Sequence, residues 1–407
     1  MTETSDTAHP RQSGHFLEIL GVFLRLGLLS FGGPIAHLGY FNETLVKRRG
    51  WISQAGYTDL IALSQLLPGP SSSQVGFALG VLRGGGIAGG LAAWLGFTMP
   101  TVIFLLAFAH GAPAFQAPWQ VGLLHGLKLV AVAVVAHAVW GMARTLAWDG
   151  RLIAITIAAT AMALTLEGAW AQIGVIAMGA LAGLALIKGG EGPDISHAIL
   201  PISRGQGGTA LVAFAVLFLG LPLLAAGTGS HVLDLITGFF RSGSLVFGGG
   251  HVVLPLLHDV VVAPGWVSVS DFVAGYGATQ AMPGPVFSFA AFLGAVASPA
   301  PNGIVGGMIA VLALFLPGLL LIYGMLPFWN DMRRIGAVQA AMRGVNAAVI
   351  GLLAAAFYQP LWTSTITGVG DIVLALGGFS ALVFCRAPPW LVVIALGAIG
   401  IARGVMA

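Results

Sequence analysis

One short run of residues, Pro68-Gly69-Pro70 followed by Ser71-Ser72-Ser73-Gln74, is the strongest candidate for ligand chemistry in this chain. Proline suits the first turn of a helix, because its missing N–H would have no partner there. A helix that begins after Pro-Gly-Pro would leave the N–H groups of Ser72, Ser73 and Gln74 free, at an end that carries about half a positive charge. These donors favour an oxyanion ligand. The alternative is a capped, closely packed helix that binds no ligand.

Four cationic side chains lie inside apolar segments: Arg25, Arg241, Lys128 and Arg343. A charge in the bilayer core costs about 3 kcal/mol or more, so each needs a partner or a function. A guanidinium group can hold an oxyanion through two parallel hydrogen bonds. We therefore predict that Arg25 and Arg241 attract the anion, and that Lys128 and Arg343 line its path. The alternatives are side chains that reach to the membrane surface, ion pairs with acidic residues, and contacts with backbone carbonyl groups.

Two carboxylates and two histidines are the candidates for proton coupling. Glu43 and Asp259 each follow a glycine-rich break in the chain, and His37 and His251 lie near the same breaks. An unperturbed imidazole titrates near neutral pH. The alternatives are a solvated loop end for Glu43, paired with a neighbouring basic residue, and ordinary packing for each histidine.

Other chemistries lack their residues. The single cysteine, Cys385, excludes a disulfide framework, a cysteine-based zinc site and an iron–sulfur cluster. The sequence contains no Walker A pattern and no basic arm suited to nucleic acid. We expect no cofactor, no metal, no nucleic-acid partner and no catalytic residue.

The composition predicts a membrane protein. Of 407 residues, 57% are hydrophobic and only 8% are charged, whereas soluble proteins carry about 25% charged residues. This excludes an ordinary soluble enzyme and predicts an all-α polytopic membrane protein. At about 20 residues per span, the chain can hold about a dozen spans. The polar first 15 residues lack a signal-peptide pattern and are predicted to be a cytoplasmic tail.

The chain contains an internal repeat. Phe31-Gly32-Gly33 recurs as Phe247-Gly248-Gly249, at an offset of 247 − 31 = 216 residues. Gly50-Trp51 recurs as Gly265-Trp266, and Pro68-Gly69-Pro70 as Pro283-Gly284-Pro285, both at an offset of 215. The ordered set indicates a duplication. We predict a first transporter repeat over 16–187, a polar linker and connecting helix over 188–231, and a second repeat over 232–407. The repeats begin an odd number of apolar segments apart, so we expect them to be inverted in the membrane.

The basic residues favour a particular topology. If every apolar segment crossed the membrane, Lys47-Arg48-Arg49 would lie outside, against the preference of Lys and Arg for the cytoplasm. Two re-entrant hairpins in each repeat remove this conflict. We therefore predict two broken or re-entrant hairpins plus four spanning helices in each repeat, joined by an extra helix. Thirteen full spans remain the alternative.

The hairpin tips would carry the site. The residues expected to bind the anion there are Gly32, Gly33, Gly69, Ser71, Ser72, Ser73, Gln74, Gly248, Gly249 and Gly284. The residues expected to shape the hairpins are Pro34, Gln65, Pro68, Pro70, Gln280, Pro283 and Pro285.

The ordered and duplicated motifs resemble those of the chromate transporter family in its long, two-domain form. The resemblance is carried by Phe31-Gly32-Gly33-Pro34, Gly50-Trp51 and Gln65-Leu66-Leu67-Pro68-Gly69-Pro70, and by their counterparts in the second half. It implies an inner-membrane protein that exports chromate, or a similar oxyanion such as sulfate, with the proton gradient as the driving force. The second half departs from the first, with Gly250 in place of Pro34 and Val286-Phe287-Ser288 in place of the serine triplet. An anion site would therefore be asymmetric.

The sequence thus predicts a secondary active oxyanion exporter with its N-terminus in the cytoplasm. A membrane-embedded enzyme acting on lipid phosphates is one alternative, although the predicted tips lack the paired carboxylates such chemistry needs. A passive anion channel is the other. The expected partners are chromate or a sulfate-like oxyanion, protons and the lipid bilayer, and a homodimer is left open.

Overall fold

The computed structural model describes residues 15–111, 117–144, 149–166, 169–187, 202–247, 250–332 and 335–406. No β-strand occurs among these residues. The helices of the first half are α1 (Phe16–Leu29), α2 (Gly33–Phe41), α3 (Gln54–Leu66), α4 (Ser71–Gly84), α5 (Ile87–Gly111), α6 (Pro118–Arg144), α7 (Gly150–Thr165) and α8 (Ala169–Leu186). A π-helical segment, Asn42–Arg48, extends α2.

The connecting helix is α9 (Arg204–Thr228). The helices of the second half are α10 (His231–Leu245), α11 (Val253–Val261), α12 (Val269–Gln280), α13 (Phe289–Val296), α14 (Gly303–Met325), α15 (Trp329–Met332), α16 (Gly336–Ala356), α17 (Thr363–Thr365), α18 (Val369–Val383) and α19 (Pro389–Met406). Short 3-10 segments, Gly250–Val252 and Val286–Ser288, precede α11 and α13.

Six helical stretches in the described part of the chain are long and apolar enough to cross a membrane. They are Ile87–Gly111, Pro118–Arg144, Arg204–Thr228, Gly303–Phe328, Gly336–Thr365 and Pro389–Met406. Helices α7 and α18 are apolar but shorter. The chain is an all-α polytopic membrane protein, as its composition predicted.

Glycines in the left-handed region interrupt the helical segments at three places in the described part of the chain. Gly32 and Gly33 have φ values of 101° and 77° between α1 and α2, and Gly69 has a φ of 124° between α3 and α4. Gly284, the counterpart of Gly69, has a φ of 96°. Residues with a Cβ rarely adopt such angles, which explains why glycine stands at these interruptions.

The chain folds back at each interruption. In the first half, Glu18 at the start of α1 pairs with Arg49 after the π-helical segment (3.9 Å) and with Arg83 at the end of α4 (3.3 Å). In the second half, the ring of His231 at the start of α10 contacts the ring of Trp266, whose carbonyl accepts a hydrogen bond from the N–H of Ser298 after α13. The ends of both hairpins in each half therefore meet at one place.

The equivalent long helices of the two halves lie side by side and run antiparallel. The rings of Trp94 on α5 and Phe315 on α14 are 5.6 Å apart. A Cβ added to Gly307 on α14 would lie 2.5 Å from the side chain of Leu106, further along α5. From the first contact to the second, the residue number rises along α5 and falls along α14. The two counterpart helices therefore run in opposite directions.

The two halves are interlocked. Helix α6 of the first half packs against α18 and α19 of the second, and α16 of the second half packs against α7 and α8 of the first. Glycines allow this close approach, since a Cβ on Gly122 of α6 would clash with the carbonyl of Gly400 on α19. Helix α9 packs against α10 and α14.

We predict opposite stability effects for two glycines of α8. An alanine methyl at Gly179 would lie 2.5 Å from the Cβ of Ala348 and 2.8 Å from the carbonyl oxygen of Gly344, both on α16. Overpacking of this kind costs about 1–3 kcal/mol. Gly174→Ala is the matched control, because its methyl meets no atom within 4 Å and gains about 1 kcal/mol of helix propensity.

The measurement is the thermal unfolding midpoint of purified protein in detergent. Gly179→Ala should unfold at a lower temperature than the parent, and Gly174→Ala at the same or a higher one. A Gly179→Ala variant as stable as the parent would show that α8 and α16 do not pack this closely.

Candidate functional site

The two Pro-Gly-Pro turns reach into each other's half of the molecule. The N–H of Gly69 donates to the carbonyl of Val246 (2.7 Å), and the N–H of Gly284 donates to the carbonyl of Ser30 (2.9 Å). Ser30 and Val246 are themselves counterparts in the repeat, since 246 − 30 = 216. Each turn is therefore hydrogen-bonded to the residue that precedes Phe-Gly-Gly in the opposite half.

Each turn also lies on the long helix of the opposite half. The amide of Gln74 donates to the carbonyls of Pro68 (2.8 Å) and Gly318 (3.1 Å), the latter on α14. In the mirrored arrangement, the hydroxyl of Thr101 on α5 donates to the carbonyl of Pro283. Thr101 and Gly318 are counterparts, since 318 − 101 = 217. A Cβ on Gly69 would lie 2.9 Å from the Cα of Gly318, so these backbones touch.

The glycine-rich sequences of the two halves also meet. A Cβ on Gly250 would lie 3.3 Å from the Cγ of Pro34, its counterpart in the repeat. Gly248 and Gly249, which the sequence predicted to bind the anion, lie outside the described residues. Gly32, Gly33, Gly69 and Gly284 all lie at the interruptions where the two halves join.

Helix α4 begins at the first turn with its serines buried. Ser72 and Ser73 are each 2% exposed, and the Ser72 hydroxyl oxygen lies 3.2 Å from Nδ1 of His37. The expectation that the Gln74 N–H would be free is wrong, because this group donates to the carbonyl of Pro70 at 2.9 Å. The N–H groups of the three preceding serines remain as the orphan donors of the first turn.

Several buried polar atoms around the turns lack a hydrogen-bond partner within the described residues. They are Oγ of Ser30, Nε2 of His37, Oγ of Ser73, Oε1 of Gln74, Oγ1 of Thr98, Nε2 of Gln280 and Oγ of Ser288. Buried polar groups are nearly always paired in proteins, by protein groups or by water, so these atoms are open to an additional polar partner. Most of these atoms belong to donors, which suits an anion.

Three of these residues, Ser30, Thr98 and Ser288, were missed by sequence analysis. Ser30 immediately precedes Phe31-Gly32-Gly33, and Ser288 is the counterpart of Ser73, so the repeat carried a signal for both. Thr98 lies within the apolar α5 and gives no such signal. Beside Ser288, the second turn carries an apolar residue: the buried ring of Phe287 packs against the ring of Phe315, with centroids 5.8 Å apart.

The four predicted cations lie in other surroundings. Arg25 is exposed on α1, and Arg241 is partly buried with Asp259 as its charged neighbour. The ammonium group of Lys128 donates to the hydroxyl of Ser270 at 2.8 Å. Arg343 lies 3.9 Å from Asp149 at the start of α7. The structure thus gives Arg343 the ion pair that the sequence left open as an alternative, and it gives Lys128 a side-chain partner at α12.

The two predicted carboxylates differ in environment. Glu43 forms ion pairs with Lys47 (3.3 Å) and Arg48 (3.1 Å), and the hydrogen bonds from these cations hold its pKa below the usual value. Asp259 instead accepts a 2.6 Å hydrogen bond from the amide of Gln172 on α8. It faces a cavity of about 420 Å³ that His258 and Gln359 also line.

The two predicted histidines have different hydrogen-bond partners. Nδ1 of His251 is hydrogen-bonded to the hydroxyl of Tyr276 on α12, away from the serine turn. His37 is 1% exposed, contacts Ser72 and packs its ring on Phe97 with centroids 5.1 Å apart. Of the two, only His37 shares the environment of the serine triplet.

The remaining predicted hairpin residues also differ between the halves. Gln280 is 8% exposed with an unpartnered amide nitrogen, while its counterpart Gln65 is exposed. Pro68 and Pro283 supply the carbonyls that Gln74 and Thr101 bind. Pro70 and Pro285 immediately precede the helical turns that follow, at φ values of −74° and −73°.

Comparison with known proteins gives a consistent result. The family model described as chromate transporter matches residues 17–184 and 233–401. The chain is 26% identical to a chromate transport protein of Cupriavidus metallidurans over 382 residues, which cover 92% of this chain and 90% of that protein. It is 28% identical to a chromate transport protein of Pseudomonas aeruginosa over 370 residues, covering 86% and 82%. No solved structure matches the chain.

The apolar helices define a polytopic membrane protein, and the family model that matches both halves is one of transporters, not enzymes. The match over both halves shows the family. The chain belongs to the chromate transporter family.

The geometry of the first turn makes a specific prediction for Gly69→Ala. The methyl would be 2.9 Å from the Cα of Gly318 and from the amide of Gln74, which would separate the turn from α14. Gly85→Ala is the matched control, because Gly85 also has a positive φ (72°) but no atom within 4 Å of an added Cβ. A Cβ at a positive φ costs about 1–2 kcal/mol at Gly85 and more at Gly69, whose φ of 124° lies outside the left-handed helical well. Only Gly69→Ala also disturbs the junction.

The measurement is the initial rate of chromate transport in membrane vesicles, normalised to the amount of protein in the membrane. Gly69→Ala should lose most of the activity and Gly85→Ala should keep it. Equal rates in the two variants would contradict the role of this junction.

Proposed function

We propose that the protein is a secondary active exporter of chromate and sulfate-like oxyanions, which it binds between the two Pro-Gly-Pro turns. The observation that supports this proposal most directly is the set of buried donors, without a partner among the described residues, where the two halves meet. The orphan N–H groups of Ser71, Ser72 and Ser73 and the hydroxyls of Ser30 and Ser73 would hold a tetrahedral dianion by neutral hydrogen bonds and a helix N-terminus. Neutral donors bind a dianion less tightly than several full positive charges would, and weaker binding favours its release.

The proposed membrane arrangement consists of re-entrant hairpins in two inverted repeats. Support comes from the hairpin ends that converge in each half and from the antiparallel course of α5 and α14. The loop of the first half carries Lys47, Arg48 and Arg49, whereas the counterpart loop of the second half has no lysine or arginine. By the preference of basic residues for the cytoplasm, we place the first loop and the N-terminus on the cytoplasmic side. The inner membrane is proposed from the family.

The electrical potential favours export of a dianion. Moving one elementary charge through 100 mV is worth about 2.3 kcal/mol, so two negative charges leaving a negative cytoplasm gain about twice that. Arg25 is exposed, and its positive charge attracts the anion to the protein. We assign proton coupling to Asp259, because it faces a cavity, whereas Glu43 is held in ion pairs at the surface.

Transport into everted vesicles tests the function. Labelled chromate should accumulate when the vesicles are energised, an uncoupler should abolish the accumulation, and excess sulfate should compete. A passive channel would let the dianion follow the membrane potential alone, so accumulation that persists without a pH gradient, and that a pH gradient at zero potential does not drive, would indicate a channel. An absence of chromate and sulfate uptake would contradict the proposal.

Arg25 should act through its charge alone. The side chain is exposed, so Arg25→Lys should retain most of the transport rate and Arg25→Gln should lower it by about tenfold at low ionic strength, where screening is weakest. Raising the salt concentration should narrow the gap between Arg25→Gln and the parent. Failure of Arg25→Lys to support transport would indicate a two-pronged guanidinium contact with the anion instead.

Asp259 and Glu43 provide a matched pair for the coupling assignment. Asp259→Asn cannot carry a proton, so it should lose accumulation driven by a pH gradient and keep chromate exchange across the membrane. Glu43→Gln removes the surface carboxylate and should keep both activities. Gradient-driven accumulation by Asp259→Asn at the parental level would rule out this assignment.

A further inference from the structure

Equivalent hairpin helices of the two halves have different surroundings. In α12, every residue from Phe272 to Gln280 is buried. Its counterpart α3 has one exposed face, formed by Thr58, Ala62 and Gln65. Those three residues lie four and three positions apart, so they share one side of the helix. We call them the α3 face.

The difference arises from neighbouring helices. The α11–α12 hairpin is enclosed by α6 on one side and α16 on the other, whereas α3 packs against α4 and the π-helical segment. Helix α6 lies so close to α12 that a Cβ on Gly277 would clash with the carbonyl of Leu127. Two turns before Gly277 on α12, the hydroxyl of Ser270 accepts a hydrogen bond from Lys128.

The repeat identifies the surface that would cover the α3 face. The counterparts of Val273, Gly277 and Gln280 are Thr58, Ala62 and Gln65, since 277 − 62 = 215. The counterpart of Leu127 is Val345 on α16, since 345 − 127 = 218. The contact of α12 with α6 therefore has a sequence counterpart between α3 and α16 that α3 does not make in this structure. Ala62 stands where α12 has Gly277, so α3 would meet α16 at a wider spacing than α12 meets α6. Val345 is 4% exposed here, so a second state must also uncover it.

Two polar groups lie at this unmade contact. Gln65 is exposed beside the first turn, and a polar side chain in the interior of a membrane faces water or protein more readily than lipid. Asn346 on α16, the counterpart of Lys128, has a buried Oδ1 without a partner in the described part of the chain. Both groups would gain neighbours if α3 closed on α16.

We propose that the α3 face is a docking surface for α16. It is occupied in a second state of the protein, in which α3 closes on α16 as α12 closes on α6 in this structure, and α12 separates from α6. The two states exchange contacts between counterpart helices, and an exchange between them requires that their free energies differ by no more than a few kcal/mol.

Cysteine cross-linking tests the docking without reference to the transported ion. In a Cys385→Ser background, Lys128→Cys with Ser270→Cys reports the contact of this structure. The counterpart pair, Asn346→Cys with Ala55→Cys, reports the proposed contact, since 270 − 55 = 215 and 346 − 128 = 218. A protease site inserted after Gly190 separates the halves after cross-linking, so that only cross-linked chains run at full length on a denaturing gel.

Both pairs should cross-link in native membranes with a short dithiol reagent, and each single-cysteine variant should not. A four-cysteine chain should form one cross-link or the other, so the yield of both together should fall at least about tenfold below the product of the separate yields. A first pair that cross-links while the second never does, with or without chromate and at every pH tested, would overturn the proposal.

Accessibility of Gln65→Cys provides the second readout. A membrane-impermeant maleimide should label it in the parent state, and the cross-link between positions 55 and 346 should protect it. Labelling by lipid-soluble reagents alone would show that the α3 face contacts lipid, which contradicts docking. A protein that fails to transport chromate but shows both cross-links would refute the proposed function and leave this inference intact.

Discussion

The structure depends on two backbone hydrogen bonds that the halves exchange. Gly69 donates to Val246 and Gly284 donates to Ser30, so neither turn satisfies its own N–H group. A peptide group left unpaired inside a membrane costs several kcal/mol. Each turn can therefore keep its interrupted backbone buried and paired only when the other half is in place. The side-chain bonds of Gln74 and Thr101 extend the same exchange to α5 and α14.

Two requirements of this packing explain the abundance of glycine near the centre. Positive φ angles require glycine at Gly69 and Gly284, and close backbone contacts require it again where α6 meets α19 and where α8 meets α16. Apolar side chains alone would not bring helices together in lipid, because lipid tails are equally apolar. Small residues and shared hydrogen bonds hold the halves instead, and the interlocked helices prevent either half from forming a closed unit of its own.

Much of this architecture could be predicted from the sequence, because glycine and proline mark where a helix must stop. The interruptions at Gly32, Gly69 and Gly284 and the buried serines of α4 followed from motif spacing. The Gln74 N–H was predicted to be free, although it closes the first helical bond to Pro70. Helix rotation was beyond the sequence: nothing in it showed that Arg25 faces outward or that Lys128 reaches Ser270. No local sequence pattern indicated that α6 and α16 each pack against helices of the opposite half.

The central claim is that a dianion binds to hydroxyl and N–H donors between the two turns, and equilibrium binding of labelled sulfate or chromate to purified protein tests it most directly. Ser30→Ala and Ser73→Ala each remove one buried hydroxyl that has no partner among the described residues, while Ser244→Ala removes a buried hydroxyl that bonds to the carbonyl of Phe240. A hydrogen bond to a charged ligand is worth about 1.5–3 kcal/mol, so each of the first two should raise Kd by about tenfold or more, and Ser244→Ala should leave it unchanged. An unaltered Kd in the Ser30→Ala, Ser73→Ala double variant would contradict the account.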